Sequence, residues 1–361
     1  MVQAKIIPNI AQLTAEAIDL LKNLIGTPSF SKEEDKTADL IDNYLKSKGI
    51  KTYRQLNNVW AFSTNFDNNK PTIMLNSHHD TVKPNKSYTL DPFIPTEIDG
   101  KLYGLGSNDA GGALVSLIAT FLYYNAIEEK PFNLLIAATA EEEISGRNGV
   151  ELVLPNFGKI DLAIVGEPTQ MHLAVAEKGL MVVDCTVKGK AGHAARNEGE
   201  NAIYKALKDI DWFRNYRFSK ISEMLGEVKM TVTIINSGSQ HNVVPDICSF
   251  TVDIRPTDVY KNAEILEIIK QNVNCEVQER SIRLNASSIP ITHPIVQQGI
   301  RLGRNYYASP TTSDQALMPF DSIKIGPGDS ARSHTADEYI FLEEVREGIL
   351  LYIKLLEELK L

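Results

Sequence analysis

Hydrophobic positions along this chain follow two different periods. Between Ile10 and Gly26 the apolar residues Ile10, Leu13, Ala17, Ile18, Leu21 and Ile25 recur at three- and four-residue steps, which predicts a helix. A second helical stretch runs from Ser31 to Ser47, with Ala38, Ile41 and Leu45 inward and Ser31, Glu33 and Glu34 as a capped, acidic start. Three short apolar runs follow: Thr72–Asn76, Asn133–Ala138 and Leu162–Val165. Their length and polar borders mark strands buried on both faces. A helix from Ala110 to Asn125 falls between the first two runs. Strands alternating with helices predict an α/β unit with a mainly parallel sheet and helices on both faces.

From Gly179 the pattern changes. The order is strand 179–188, amphipathic helix 201–216, alternating strand 228–234, strand 246–254, helix 259–273 and a weaker strand 276–284. This β-α-β-β-α-β order is ferredoxin-like. After Asn285 the α/β character returns and closes in the helix Leu342–Leu359. The expected organisation is a discontinuous α/β domain, 1–178 and 285–361, carrying an inserted α+β domain, 179–284.

Length agrees, since 361 residues suffice for two domains. There are 37 basic and 46 acidic residues, and no basic run stands out, which argues against a nucleic-acid partner. No apolar stretch reaches the roughly 20 residues of a membrane span, and Met1–Lys5 begins no signal core. Cys185, Cys248 and Cys275 are odd in number and far apart. They fit a reducing, cytoplasmic compartment and form neither a disulfide framework nor a zinc ribbon.

Ligands of open α/β sheets bind beyond the carboxyl ends of the strands. There the sequence places His78-His79-Asp80, then Glu141-Glu142-Glu143, then Glu167-Pro168, with Asp109 just ahead of the Ala110 helix. Each has a plain reading: a hydrogen-bonded pair, a solvated acidic patch, a turn, a helix cap. Together on one rim they concentrate negative charge that must repel, take up protons or hold a cation. Strand alternation puts His78 and Asp80 on one side, so Asp80 can orient His78, with His79 opposite. Mixed imidazole and carboxylate donors suit zinc, and also cobalt or manganese. The set suffices for two divalent metals, and a carboxylate left over can act as general base toward water.

The segments Ser77–Val82, Gly104–Gly112, Thr139–Glu143 and Val165–Thr169 together resemble a family of dinuclear metallohydrolases. That family includes acetylornithine deacetylase, succinyl-diaminopimelate desuccinylase, aminoacylase and glutamate carboxypeptidase. The resemblance spans nearly the whole chain in the same order. It implies that His78 and Glu167 hold one metal, Glu143 and His334 the other, and that Asp109 bridges them. His334 is chosen over His293 by its context, Asp329–Glu338. The resemblance also implies Glu142 as general base and Asp80 as its support. Ile144-Ser145-Gly146 anchors the register of the three glutamates, where a one-residue slip would exchange base and ligand. Many members have Asp-Met-Lys-Gly where this chain has Asp109-Ala110-Gly111-Gly112.

The insert resembles the family's lid and dimerisation domain. Gly189–Ala194 matches the lid motif, which implies that His193 stabilises the tetrahedral intermediate in a partner subunit of a homodimer. His241–Pro245 and Asp253–Pro256 match segments that bind the substrate carboxylate, which implies Asn242 and Arg255; an ion pair is the plain alternative for Arg255. Thr312-Ser313-Asp314 resembles a further loop near the site, while His172 and the cysteines match no motif. The implied reaction removes the acyl group from a small N-acyl amino acid, foremost N-acetylornithine in arginine biosynthesis. N-succinylornithine, N-acetylcitrulline, succinyl-diaminopimelate and di- or aminopeptide substrates are alternatives. A noncatalytic metal- or peptide-binding module is the rival of another class.

Overall fold

Three apolar runs too short for helices become the centre of one sheet. In the computed structural model, which describes residues 8–361, they form the strands Thr72–His78, Asn133–Thr139 and Leu162–Val165. Met1–Lys5, read above as lacking a signal core, lies outside the described residues. Every residue of the three strands is buried. They run parallel, and Ser322–Lys324 joins as a fourth parallel strand beside Leu162–Val165. The sheet order is Thr52–Gln55, Asn58–Phe62, Asn133–Thr139, Thr72–His78, Leu162–Val165, Ser322–Lys324 and Leu173–Glu177. The outer members pair antiparallel.

The sheet needs cover on both faces because its side chains are apolar on both. On one side Met74, Leu135, Ala137, Ala163 and Val165 pack against Val150, Val153, Phe157 and Met318 from short helical turns. The helix Gly112–Asn125 packs on the strands Thr72–His78 and Asn133–Thr139 and on the helices Ile10–Ile25 and Leu342–Glu357. All of its residues but Tyr123 are buried, as its apolar surroundings on every side require. No helix among the described residues is long and apolar enough to cross a membrane.

The first compact unit takes the chain up to Val175 together with Ile289–Tyr307 and Ser313–Leu361; the second comprises Ala176–Ser288 and Ala308–Thr312. The second unit's own sheet is antiparallel throughout, in the order Lys229–Ser237, Ile247–Arg255, Leu180–Lys188, Glu276–Leu284. Alternation sends Met181, Val183, Cys185 and Val187 to one face. There they meet Phe250, Val252 and Ile254 under the helices Ala202–Asn215 and Asn262–Asn272. This is the ferredoxin-like topology expected from the element order. The three cysteines are free.

One local expectation fails. The second helix spans Asp35–Ser47, and Ser31 does not cap it. Residues 30–34 instead make a tight turn, with Lys32 at φ 78° and the Glu33 N–H donating to Phe30 O at 2.7 Å.

Candidate metal centre

The rim is built by register. His78 pairs with Thr139, and Asn76 pairs with both Ala137 and Val165, so three parallel strands end nearly level. The residues that follow leave the sheet on the same edge. The strand stops at His78 and Asp80 lies two residues past its end, on the same side as His78. The His78 Nδ1–H donates to the backbone carbonyl of Asp80 at 2.9 Å, while the Asp80 carboxylate lies 3.4 Å away. A carbonyl only accepts, so in the neutral ring Nε2 presents its lone pair. His79 turns away. Its Nε2–H donates to Asn57 O at 2.8 Å, its Nδ1 accepts from Thr37 Oγ1 at 2.9 Å, and burial lowers its pKa to about 4.

Asp109 is not the cap of the following helix, which begins at Gly112. Residues 107–111 form an irregular turn in which Asp109 has φ −117° and ψ 98°, and the Asp109–Ala110 peptide is cis. A Cβ on Gly111 would collide with the carbonyl of Gly106, so the turn closes only over glycine here. The buried carboxylate of Glu338 holds it, accepting N–H groups from Gly106, Asn108 and Asp109 at 3.2, 2.8 and 2.9 Å. Asp109 then presents its two oxygens to two different histidines. Oδ1 lies 3.4 Å from His78 Nε2 and Oδ2 lies 3.8 Å from His334 Nε2.

The three glutamates part into three environments. Glu141, at φ 54°, turns inward and accepts from Asn148 Nδ2 at 2.9 Å. Glu142 Oε2 lies 4.0 Å from His78 Nε2. Glu143 Oε2 lies 2.9 Å from His334 Nε2. The Asp80 carboxylate fixes this order, accepting the Glu142 N–H at 3.0 Å and the Glu143 N–H at 3.2 Å. Among the described residues, two groups can each surround a cation: His78, Asp109 and Glu167, and Asp109, Glu143 and His334.

The charges leave the cluster unbalanced without a cation. Burial raises Glu142 well above the ordinary carboxylate value, helped by Glu167, Asp314 and Glu143 and opposed by His78. Burial also pushes Glu167 up to about 8; Asp109 adds to this, while His78 and Lys324 oppose it. His334 rises to about 9, chiefly through its bond to Glu143. His78 is driven well above 6.5 by Asp109, Asp80, Glu142 and Glu167 despite full burial. Yet His78 Nε2 is buried and makes no hydrogen bond. Its nearest carboxylate oxygens stand at 3.4, 3.8 and 4.0 Å, on Asp109, Glu167 and Glu142. Tetrahedral donors about 2.0–2.1 Å from zinc lie roughly 3.3 Å apart. An orphaned imidazole nitrogen facing oxygens at near that spacing fits a cation better than a hydrogen-bonded cluster.

His193, Asn242 and Arg255 lie in the second unit, and His172 and His293 in the first. His193 and Asn242 come together through a short ladder pairing Gly192–His193 with Val243–Val244, and the Ala194 N–H donates to Asn242 O at 3.0 Å. His193 is exposed, and its Nδ1 accepts the Ala195 N–H at 3.1 Å. Arg255 makes a two-pronged ion pair with Asp253, at 2.8 and 3.0 Å. His293 accepts from the Ile295 N–H and caps the helix Pro294–Arg301, while His172 accepts from the Asn305 N–H.

Sequence reasoning read Ser31 only as a helix cap, assigned no part to Glu338 or Lys324, and left that of Asp314 open. Ser31 donates to Asp80, and Asp314 accepts from Thr139 Oγ1 at 2.9 Å beside Glu142. Lys324 could have been found, since it ends a parallel strand whose short apolar run was passed over.

Comparison with known proteins places this arrangement. The profile of peptidase family M20/M25/M40 matches residues 74–358. Acetylornithine deacetylase of Proteus mirabilis is 26% identical, over 91% of this chain and 94% of the relative. Succinyl-diaminopimelate desuccinylase of Rickettsia bellii is 27% identical, over 94% and 95%. Aminopeptidase PepT of Bacillus cereus superposes with a TM-score of 0.76 at 16% identity, covering 96% of this chain and 98% of that one. The YXEP protein of Bacillus subtilis, a dinuclear metal binding peptidase, does so at 0.74 and 17%, covering 96% and 99%.

Proposed function

Because this chain belongs to peptidase family M20/M25/M40 and is a metal-dependent hydrolase of amide bonds, we propose that it removes the acyl group from an N-acyl amino acid, with N-acetylornithine as the first substrate. The observation that supports this reading is the paired set around Asp109, with Glu142 beside both triads and a member of neither. His78, Asp109 and Glu167 would hold one divalent cation, and Asp109, Glu143 and His334 a second; the mixed donors favour zinc, with cobalt or manganese as alternatives. Such cations supply charge stabilisation for a developing oxyanion and lower the pKa of water at the site.

The chain's own groups supply the rest. Glu142 takes the proton of the attacking water at its carboxylate and returns it to the departing amine nitrogen. Asp80 fixes the backbone from which Glu142 and Glu143 project. We assign His193 to the oxyanion, acting in a homodimer formed through the inserted domain, and Asn242 and Arg255 to the substrate carboxylate. For the last role Arg255 must give up Asp253. The products are a free amino acid and a short carboxylate, which would place the enzyme in arginine biosynthesis in the cytoplasm.

A second reading, removal of succinate from succinyl-diaminopimelate, is favoured by relatives of that name at the same level of identity. One assay separates the two. Protein loaded with zinc or cobalt is offered acetylornithine, succinylornithine, acetylcitrulline, succinyl-diaminopimelate and an unblocked dipeptide, with and without chelator. Chelator-sensitive release of amine from acetylornithine above the others is expected. Turnover of the unblocked dipeptide alone would replace deacylation by peptidase activity.

A further inference from the structure

The base depends on backbone groups, and those groups are held by a segment outside every motif noted above. The turn 30–34 lies against the end of the His78 strand, with the Thr81 N–H donating to Ser29 O at 2.8 Å. From it the half-buried Ser31 hydroxyl donates to Asp80 Oδ2 at 2.6 Å. The same Asp80 oxygen accepts the Glu143 N–H, and the other accepts the Glu142 N–H. Three residues on, the fully buried Glu34 accepts the Glu141 N–H at 3.2 Å and the Lys32 N–H at 2.6 Å through Oε1. Its other oxygen accepts from Asn57 Nδ2 at 2.9 Å. Asn57 in turn receives the His79 Nε2–H, and Thr37 Oγ1 reaches the other nitrogen of that ring. Three consecutive amides, Glu141, Glu142 and Glu143, are thus tied to two carboxylates set by one turn.

We propose that Ser31 and Glu34 are positioning residues for the Glu142 base: Ser31 by locking the rotation of the Asp80 carboxylate, Glu34 by pinning the left-handed Glu141. Neither touches a reacting atom. The two amides that the Asp80 carboxylate accepts sit on adjacent residues of the segment that must itself be held. The Ser31 hydroxyl supplies a third, short, charge-assisted bond from a different segment of the chain, to the oxygen that accepts the Glu143 N–H. Loss of such supporting bonds around a metal site costs about 10–100-fold in activity or metal affinity. A lock on the base predicts that the loss falls on kcat and spares the metal.

This inference rests on the role given to Glu142, and the test separates the two. Ser31→Ala should lower kcat about tenfold on the preferred N-acyl substrate, with KM and the two-cation stoichiometry unchanged. Ser31→Thr, which keeps the hydroxyl, should restore most of it. In metal-free protein, NMR-detected amide exchange should quicken about tenfold at Glu142 and Glu143 in Ser31→Ala, and at Glu141 in Glu34→Gln, with remote core amides unmoved. Exchange reads the lock whether or not any substrate is turned over. Unchanged exchange at Glu142 and Glu143 would overturn the inference, as would a loss shared by Ser31→Thr or accompanied by loss of cations. Quickened exchange with kcat unchanged in Ser31→Ala would overturn the positioning role. No N-acyl turnover by the wild type, with exchange still quickened, would strike the function proposed above and leave the lock standing.

Discussion

The two triads share Asp109 but meet water differently. On one side His78 is 1% exposed and Glu167 lies two residues past the end of a buried strand. On the other the His334 side chain is 55% exposed, on a loop residue at φ 60°. Parallel strand register prebuilds the first triad, and the order of residues 329–338 builds the second. A cation held by the first would sit behind the buried His78, and one held by the second would be open to solvent only on its His334 side. The asymmetry suits an enzyme that must keep its cluster yet admit substrate to it.

Asp109 tests what the triads share. Asp109→Ala should leave neither site with three ligands, so metal analysis after desalting should fall from two cations to none and hydrolysis to background. One cation retained at full occupancy would show that the triads are independent. Glu142→Gln separates chemistry from binding. It should keep two cations and lose about 10²–10⁴ in kcat, the usual share of a general base; near-normal turnover would remove Glu142 from the role.

The difference in exposure is addressed by His334→Ala, which should retain one cation, on the His78 side. In the wild type, chelator should strip cobalt in two phases, the fast phase absent from this variant. A single phase would erase the distinction between the triads.

The smallest effect belongs to the buried side of the rim. Folded His79 titrates near 4, whereas an unfolded histidine titrates near 6.5. Between those values the unfolded chain binds the extra proton, so this contribution to stability is full above about pH 6.5 and is lost as pH falls toward 4. It amounts to about 2 kcal/mol between pH 7 and pH 5. Urea unfolding of metal-free His79→Gln should show a pH dependence shallower than wild type by that amount, and parallel curves would contradict the burial argument.

Much of the rim was legible because it follows from local rules. Short apolar runs bounded by polar residues specify buried strands, and in a parallel sheet the residues just past each run must share an edge. The helix read from Ser31 was mistaken because the chain turns at 30–34 and the helix starts only at Asp35, which leaves the Ser31 hydroxyl to donate to a carboxylate 49 residues away rather than accept a first-turn N–H. Asp109 was open to the reading of a cap because its distinctive geometry is set by Glu338, more than two hundred residues later. Arg255, read either for substrate or as an ion pair, pairs here with its strand neighbour Asp253, two positions back on the same face.

What the sequence determined by itself is periodicity and adjacency: a parallel α/β sheet, a ferredoxin-like insert, and carboxylates and histidines gathered past the strand ends. Only the tertiary structure decided which oxygen faces which nitrogen. It separated Glu141, Glu142 and Glu143 into an inward anchor, a group beside both triads and a member of one, though their chemistry is identical. The physical reason is that hydrogen bonds act over about 3 Å, and the partners that orient each of these side chains come from distant stretches of the chain. Spacing along the sequence carries no record of those distances.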